Sequence, residues 1–185
     1  MIVVASTAFK LKTLRKLRLA DTKMVDVRGK IKYIHAVNLN KYGDWSITIY
    51  PDNASLEVIR DYQAKGFKNV MKKDDDGYFI QFKRPPTKLM RGKVVAFTAP
   101  KVLVEKSDGT VEPMDGTKVG WGSDGIVRLE VYQHGTPSGG KAFACRWDSL
   151  KITNLVEFTP DKSDWSEEEK ENIKSLTEVK DQEPW

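Results

Sequence analysis

Basic and aromatic side chains alternate along much of the chain. Cationic grooves bind phosphates and aromatic rings stack on unpaired bases, a combination typical of proteins that bind single-stranded nucleic acid. In most proteins such rings belong to the core and such cations to a solvated surface, so this alternative stays open. The cations that we expect to contact phosphates are Arg28, Lys30, Lys32, Lys83, Arg84, Lys93 and Arg146. The rings that we expect to stack on bases are Tyr33, Trp45, Phe82 and Trp147.

Three consecutive carboxylates, Asp74, Asp75 and Asp76, precede Gly77. Carboxylate oxygens are ligands of Mg²⁺, so a metal-dependent nuclease or resolvase is an alternative function. Consecutive strand residues point to opposite faces, however, and aspartates before a glycine are ordinary turn residues. No Ser/His/Asp set, phosphate-binding loop or HExxH motif accompanies the run, so we expect no enzymatic activity, no resident metal and no cofactor.

Cysteine and histidine are scarce in the 185 residues. Cys145 is the one cysteine, and the two histidines, His35 and His134, lie far apart. A disulfide framework and a cysteine zinc cage are therefore excluded, and a reducing compartment, the cytoplasm, is expected. No run approaches the length of a membrane span, and the positive charges follow the apolar residues 1–9 instead of preceding them. We therefore expect a soluble protein without a secretory signal.

The net charge of +5 is distributed unevenly. Residues 1–23 contain six basic residues and one acidic residue, residues 24–158 contain 21 and 16, and residues 159–185 contain four and nine. A basic body followed by an acidic end is typical of a chain that binds nucleic acid and holds its own competitor for the same surface. A solvated tail without a role is the alternative. If translation starts at Met24, the basic arm 1–23 is upstream sequence.

The elements that must position these residues are mostly strands. Hydrophobic alternation predicts a first strand from Val25 to Tyr33 and a second over 45–49, joined as a hairpin. Along the first strand Val25, Val27, Ile31 and Tyr33 share one face, and Arg28, Lys30 and Lys32 share the other. A helix should begin after Asp52 or Asn53 and end at Gly66. Further strands are expected at residues 78–83, 93–97, 102–104, 126–132, 142–147 and 150–158.

These short strands, one helix and glycine-rich turns predict a small, closed or partly closed antiparallel barrel over 24–158. After Phe158 the sequence predicts a short helix over 166–176 and disorder from residue 177. The chain ends on Trp185, a large aromatic residue behind carboxylates. Such a residue either enters a partner's pocket or has no role.

Five segments together resemble the single-stranded DNA-binding proteins of tailed phages. They are RGKIKY at 28–33, GDWSITIYPD at 43–52, DDGYFIQF at 75–82, VGWGSD at 119–124 and SLKITNLVEF at 149–158. The resemblance covers about residues 25–158 and the tail. Its most specific part is the glycine-serine turn together with the LVEF strand.

The resemblance implies an OB-fold and a chain that coats single-stranded DNA during phage replication, recombination and repair. We therefore expect a mostly β fold with one or two helices, built as a partly open five-stranded antiparallel barrel with extra hairpins. The expected partners are single-stranded DNA, a second copy in a homodimer, and replication proteins such as a polymerase, helicase or primase, but no membrane. Tail residues Asp181, Glu183 and Trp185 would contact the replication proteins, and the tail would compete with DNA. A module that binds only proteins is a third alternative.

Overall fold

The computed structural model describes residues 22–90 and 92–158, and these residues are mostly β-strand. One α-helix, α1, spans Asn53–Ala64, and a short 3-10 helix spans Gly116–Lys118. The strands are β1 Lys23–His35, β2 Trp45–Pro51, β3 Met71–Asp74, β4 Gly77–Arg84, β5 Thr87–Met90, β6 Lys93–Ala96, β7 Lys101–Glu105, β8 Val111–Pro113, β9 Asp124–Gly135 and β10 Lys141–Asn154.

Eight strands form one sheet in the order β3-β4-β2-β1-β9-β10-β7-β8. All neighbours are antiparallel except β7 and β10, which run parallel. Strands β5 and β6 form a separate two-stranded hairpin. In the described part of the chain no helix is long and apolar enough to cross a membrane.

The central five strands, β4-β2-β1-β9-β10, curl until their outer members approach each other. Strands β4 and β10 are not hydrogen-bonded neighbours in the sheet. The Arg84 guanidinium at the end of β4 nevertheless donates to the Trp147 carbonyl on β10 at 3.0 Å. The sheet is therefore an OB-fold-like barrel that stays partly open, as predicted, with β3, β5–β6 and β7–β8 as additions.

The inner face of the curled sheet holds the core. Alternate residues of each strand point inward because successive side chains of a strand lie on opposite faces. Trp147 and Phe82 are both 0% exposed at its centre. The Trp147 indole satisfies its one polar atom by donating to the Ser149 carbonyl at 3.1 Å. The aliphatic residues around these rings are Val27, Ile31, Ile47, Ile49, Ile80, Val127, Leu129, Leu150 and Ile152.

Helix α1 begins and ends where its sequence predicts. The Asp52 carboxylate caps the N-terminus by accepting from the Ser55 amide at 2.8 Å. Gly66 follows the last turn with a φ of +92°, a conformation that glycine adopts without strain. The helix is bonded to β1, because the Arg28 amide donates to the Ser55 hydroxyl at 2.8 Å and the Arg28 carbonyl accepts from the Asp52 amide at 2.9 Å.

Two β-bulges account for differences between the predicted strands and the observed strands. A bulge between Ile31 and Tyr33 shifts the register of β1 against β2. A second, between Trp147 and Ser149, lies within β10, so the strands expected at 142–147 and 150–158 form one continuous strand, which ends at Asn154 and not at residue 158. A bulge adds one residue without ending the strand, which period-2 alternation does not reveal.

The predicted tail 159–185 lies outside the described residues. The predicted arm 1–23 also lies outside them except for Thr22 and Lys23, and Lys23 is already the first residue of β1.

Candidate nucleic-acid interface

The outer side of β1, β2, β4 and β3, here called the four-strand face, brings cations and rings together. Lys72 on β3 lies opposite Phe79 on β4, and Gln81 lies opposite Thr48 on β2. A groove of about 350 Å³, the central groove, runs between these side chains and Tyr33.

Lys32 occupies the middle of this face. Its ammonium nitrogen lies 4.2 Å from the ring centre of Phe79, 5.3 Å from that of Tyr50 and 5.7 Å from that of Tyr33. It also forms an ion pair with the Asp74 carboxylate. The electron-rich ring faces attract the cation, but the carboxylate already balances its charge.

Asp74 accepts from both Lys32 and the Tyr50 hydroxyl, the latter at 2.9 Å. The hydrogen bond from Lys32 lowers the pKa of Asp74, and the hydrogen bond to Asp74 raises the pKa of Lys32. Burial is the main reason why the pKa of Tyr50 is raised. At neutral pH the group is therefore a carboxylate, an ammonium and a neutral phenol, and Asp74 holds the position beside Lys32 that a phosphate would take.

Replacing Asp74 with asparagine should strengthen the binding of single-stranded DNA. The variant removes the negative charge that balances Lys32, so Lys32 can contact a phosphate. One additional phosphate contact steepens the salt slope by about 0.7, which raises the affinity roughly fivefold at ~0.1 M salt. A salt titration with oligo-dT measures both quantities. Asp61→Asn is the matched control, because Asp61 pairs with Lys65 on α1. An unchanged or weaker affinity of D74N would show that Asp74 does not compete with phosphate.

Tyr33 is placed on the outer side of the sheet by the β1 bulge. The alternation predicted it on the inner face with Ile31, but its ring is 61% exposed. It lines the central groove and also a second groove of about 570 Å³, the tryptophan groove, whose exposed rings are Trp121 and Phe158. The ring therefore separates two depressions along the same strand.

Arg28 and Lys30 extend the line of cations along β1. Both are exposed, and neither forms an ion pair within residues 22–90 and 92–158. They border a groove of about 360 Å³ that Tyr50 also lines. Since residues two apart on a strand share a face, Arg28, Lys30 and Lys32 follow one side of β1 as predicted.

Three of the four predicted stacking rings are misplaced. Phe82 and Trp147 are fully buried, so neither offers a face to a base. Trp45 lies on the inner side with Ile47 and packs against the core, and its indole nitrogen is buried without a partner among the described residues. Interleaving with cations predicted these rings at the surface, but strand alternation and burial place them inside.

Two predicted phosphate ligands instead join strands. Arg146 is buried, donates to the Glu130 carboxylate at 2.6 and 2.9 Å, and lies 4.2 Å from the ring centre of Phe97. Arg84 donates to the carbonyls of Thr98 at 2.6 Å and Trp147 at 3.0 Å, and burial lowers the pKa of its guanidinium. Both guanidinium groups are already occupied by acceptors.

The other predicted site residues are scattered. Lys83 lies on the four-strand face, 3.7 Å from the Asp44 carboxylate and 5.2 Å from the ring centre of Tyr42. Lys93 is exposed on the β5–β6 hairpin, outside the eight-stranded sheet. The predicted tail residues Asp181, Glu183 and Trp185 lie outside the described residues.

Lys72, Phe79, Tyr42 and Trp121 were not predicted as site residues from the sequence. Phe79 and Gln81 alternate with the buried Ile80 and Phe82, and this period-2 signal could have placed Phe79 on the outer side. The position of Lys72 on the four-strand face follows only from the pairing of β3 with β4. Tyr42 and Trp121 lie in turns, where alternation carries no information.

Asp74, in the aspartate run, is already hydrogen-bonded within the protein. Asp74 accepts from Lys32, Tyr50 and the Asp76 amide, the last at 3.1 Å. Within residues 22–90 and 92–158 no three His, Cys, Asp or Glu side chains are grouped so that they could hold a metal ion. The run serves as the β3–β4 turn, and the nuclease alternative receives no structural support.

No protein-family model matches this sequence, and no curated protein is similar to it. Among solved structures, the chain is similar to the bacteriophage T7 single-stranded DNA-binding protein gp2.5, with 15% identity, a TM-score of 0.48, and coverage of 78% of this chain and 93% of that one. It is also similar to the single-stranded DNA-binding protein of bacteriophage Enc34, with 13% identity, a TM-score of 0.48, and coverage of 78% and 89%. A third similar structure is the Enc34 protein in complex with single-stranded DNA, with 13% identity, a TM-score of 0.48, and coverage of 72% and 88%.

Proposed function

We propose that this protein binds single-stranded DNA along the four-strand face, without catalysing a reaction. The observation that carries the proposal is the line of Arg28, Lys30 and Lys32 on β1 beside the exposed ring of Tyr33 and the rings of Tyr50 and Phe79. The cations would follow the phosphates, and the rings would stack on the bases at about 1–3 kcal/mol for each base.

A single strand fits this face better than a duplex does. The faces of paired bases are covered by their neighbours in the stack, so Tyr33 would have nothing to stack on in a duplex. A single strand exposes the face of each base, and stacking accepts any sequence because every base has a π-face. We therefore expect binding without strong sequence preference.

The salt dependence of binding tests the proposed function. The logarithm of the affinity for oligo-dT should fall linearly with the logarithm of the salt concentration, with a slope of about −0.7 for each phosphate contact. A duplex of equal length should bind much more weakly. Fluorescence anisotropy measures both ligands under identical conditions. Equal affinity for the two forms contradicts the proposal, and degradation of the oligonucleotide with Mg²⁺ favours the nuclease alternative.

The tail is proposed to compete with DNA for this face. Residues 159–185 contain nine acidic and four basic residues. Phe158, the last residue before the tail, lines the tryptophan groove next to Tyr33. An acidic segment tethered at this point would be present at a high effective concentration near the cations of β1.

Deleting residues 159–185 should therefore raise the affinity for oligo-dT at low salt, and the gain should shrink as salt screens the attraction. Anisotropy titrations of the full chain and the truncated chain at several salt concentrations measure the gain. The truncated chain lacks all nine acidic residues of the tail. If its affinity for oligo-dT at low salt equals that of the full chain, the tail does not compete with DNA.

The biological setting is proposed from the sequence resemblance. The protein would coat single strands during replication, recombination and repair of phage DNA in the host cytoplasm. Asp181, Glu183 and Trp185 would recruit a polymerase, helicase or primase, and two copies would form a homodimer. Analytical ultracentrifugation of the full chain and of the truncated chain tests the dimer.

A further inference from the structure

We propose that the tryptophan groove binds a base of the DNA strand that crosses the four-strand face, stacked on Trp121. This inference rests on the proposed function and adds a second binding position to it. The sequence reasoning assigned no role to Trp121.

Trp121 is exposed on a turn whose backbone is held by hydrogen bonds. Its ring is 60% exposed, although tryptophan is mostly covered in folded proteins. It lies in the turn of residues 120–123, where the backbone exchanges hydrogen bonds with Ile31 at 2.7 and 2.9 Å. The Ser123 hydroxyl donates to the Gly120 carbonyl at 2.9 Å and accepts from the Val156 amide at 2.9 Å. Because the backbone of the turn is already fixed, it need not be ordered when a ligand covers the ring.

The groove beneath Trp121 has the size and the walls of a base-binding site. Its volume is about 570 Å³, within the range of small-molecule sites. Phe158, 56% exposed, provides a further ring. The floor is formed by Ile31, Ile34 and Val119, and the rings at its sides are Tyr33, Trp121 and Phe158. Apart from Lys32, these side chains are apolar and include three rings, which suit the face of a base better than they suit a phosphate.

The occupant follows from the continuity of this groove with the four-strand face. Lys32 and Tyr33 line both the tryptophan groove and the central groove, so one strand can pass over Tyr33 from one groove to the other. Lys118 is exposed in the 3-10 helix that contributes Gly116 and Thr117 to the groove, and it adds positive charge nearby. A strand of alternating phosphates and bases matches cations that flank an apolar groove, whereas an apolar peptide would gain nothing from them.

Substitution of Trp121 tests the proposal with oligo-dT of about 12 nucleotides, a length within the site size of one OB-fold. W121A should weaken binding roughly 5- to 150-fold, which is the expected loss for one stacked base. W121F should retain most of the affinity, because phenylalanine still offers a ring. Thermal unfolding of each variant should match that of the wild type, since the indole is exposed.

Oligonucleotides with one abasic position locate the base. One abasic position, outside the part of the strand that lies on the four-strand face, should weaken wild-type binding most. The same abasic oligonucleotide should bind W121A as well as the intact oligonucleotide does, because both changes remove the same stacked pair. DNA should quench wild-type tryptophan fluorescence, and W121F should lose most of this quenching.

The outcomes separate this inference from the proposed function. If Tyr33→Ala weakens binding and W121A stays within twofold of the wild type, DNA binds the four-strand face but the groove has another occupant, such as the tail or a second copy. Quenching that W121F retains also overturns the proposal. If the wild type itself does not prefer oligo-dT over duplex, the proposed function fails and this inference fails with it.

Discussion

The combined replacement of Arg28, Lys30 and Lys72 with alanine should lower the affinity for oligo-dT about 100-fold at ~0.1 M salt. Each phosphate contact contributes about 0.7 to the salt slope of single-strand binding, so three lost contacts flatten the slope by about 2.1. At ~1 M salt the variant and the wild type should bind almost equally. All three side chains are exposed on the four-strand face, so the fold should be unaffected.

A variant of equal net charge isolates the effect of position. Arg60, Lys101 and Lys106 are exposed cations on α1, β7 and the β7–β8 turn. Their combined replacement with alanine also removes three positive charges, but away from the proposed interface. This control should keep its salt slope within about 0.3 of the wild-type value. If both triple variants lose affinity equally, the binding depends on net charge and the four-strand face is not the site.

Replacing Trp147 with alanine should destabilise the protein by about 3–5 kcal/mol, because the indole is fully buried and its removal leaves a cavity. The melting temperature should fall by roughly 6–20 °C for a chain of this size. Denaturant titration followed by circular dichroism measures the change in the free energy of unfolding. A Trp147 variant that loses DNA affinity while it keeps wild-type stability would restore the predicted stacking role.

Trp121→Ala is the matched control for this stability measurement. The same residue type is replaced, but the ring of Trp121 is 60% exposed. Its loss should change the free energy of unfolding by no more than about 0.5 kcal/mol. The pair of variants therefore separates a tryptophan that holds the core together from one that is available to a ligand.

The architecture was accessible from the sequence because its signals are local. Alternation identified most strands, the carboxylate of Asp52 marked the start of α1, and Gly66 marked its end. Pairing of β1 with β2 followed from the short turn between them. The parallel pairing of β7 with β10 could not be predicted, because it joins segments about 50 residues apart and depends on the curvature of the whole sheet.

The candidate site was predicted only where strand alternation was unbroken. Arg28 and Lys30 lie on the predicted face because β1 is regular up to Ile31, and Lys32 shares that face at the bulge. Tyr33 lies on the opposite face from the one predicted, since the bulge separates it from Ile31. Arg146 was misassigned because its partner Glu130 lies across β9 and β10, and a cation looks free in a sequence until that pairing is known.

The outward and inward positions of strand β1 differ in what their substitution would change. The backbone amide and carbonyl of Arg28 hold α1 in place, while its side chain lies on the surface. The inward residues Val27 and Ile31 belong to the core. Substitutions at the outward positions can therefore retune ligand affinity without loss of fold, whereas substitutions at the inward positions are constrained by packing. Substitutions at positions 28 and 30 should therefore change DNA affinity more than stability, and substitutions at positions 27 and 31 should change stability more than DNA affinity.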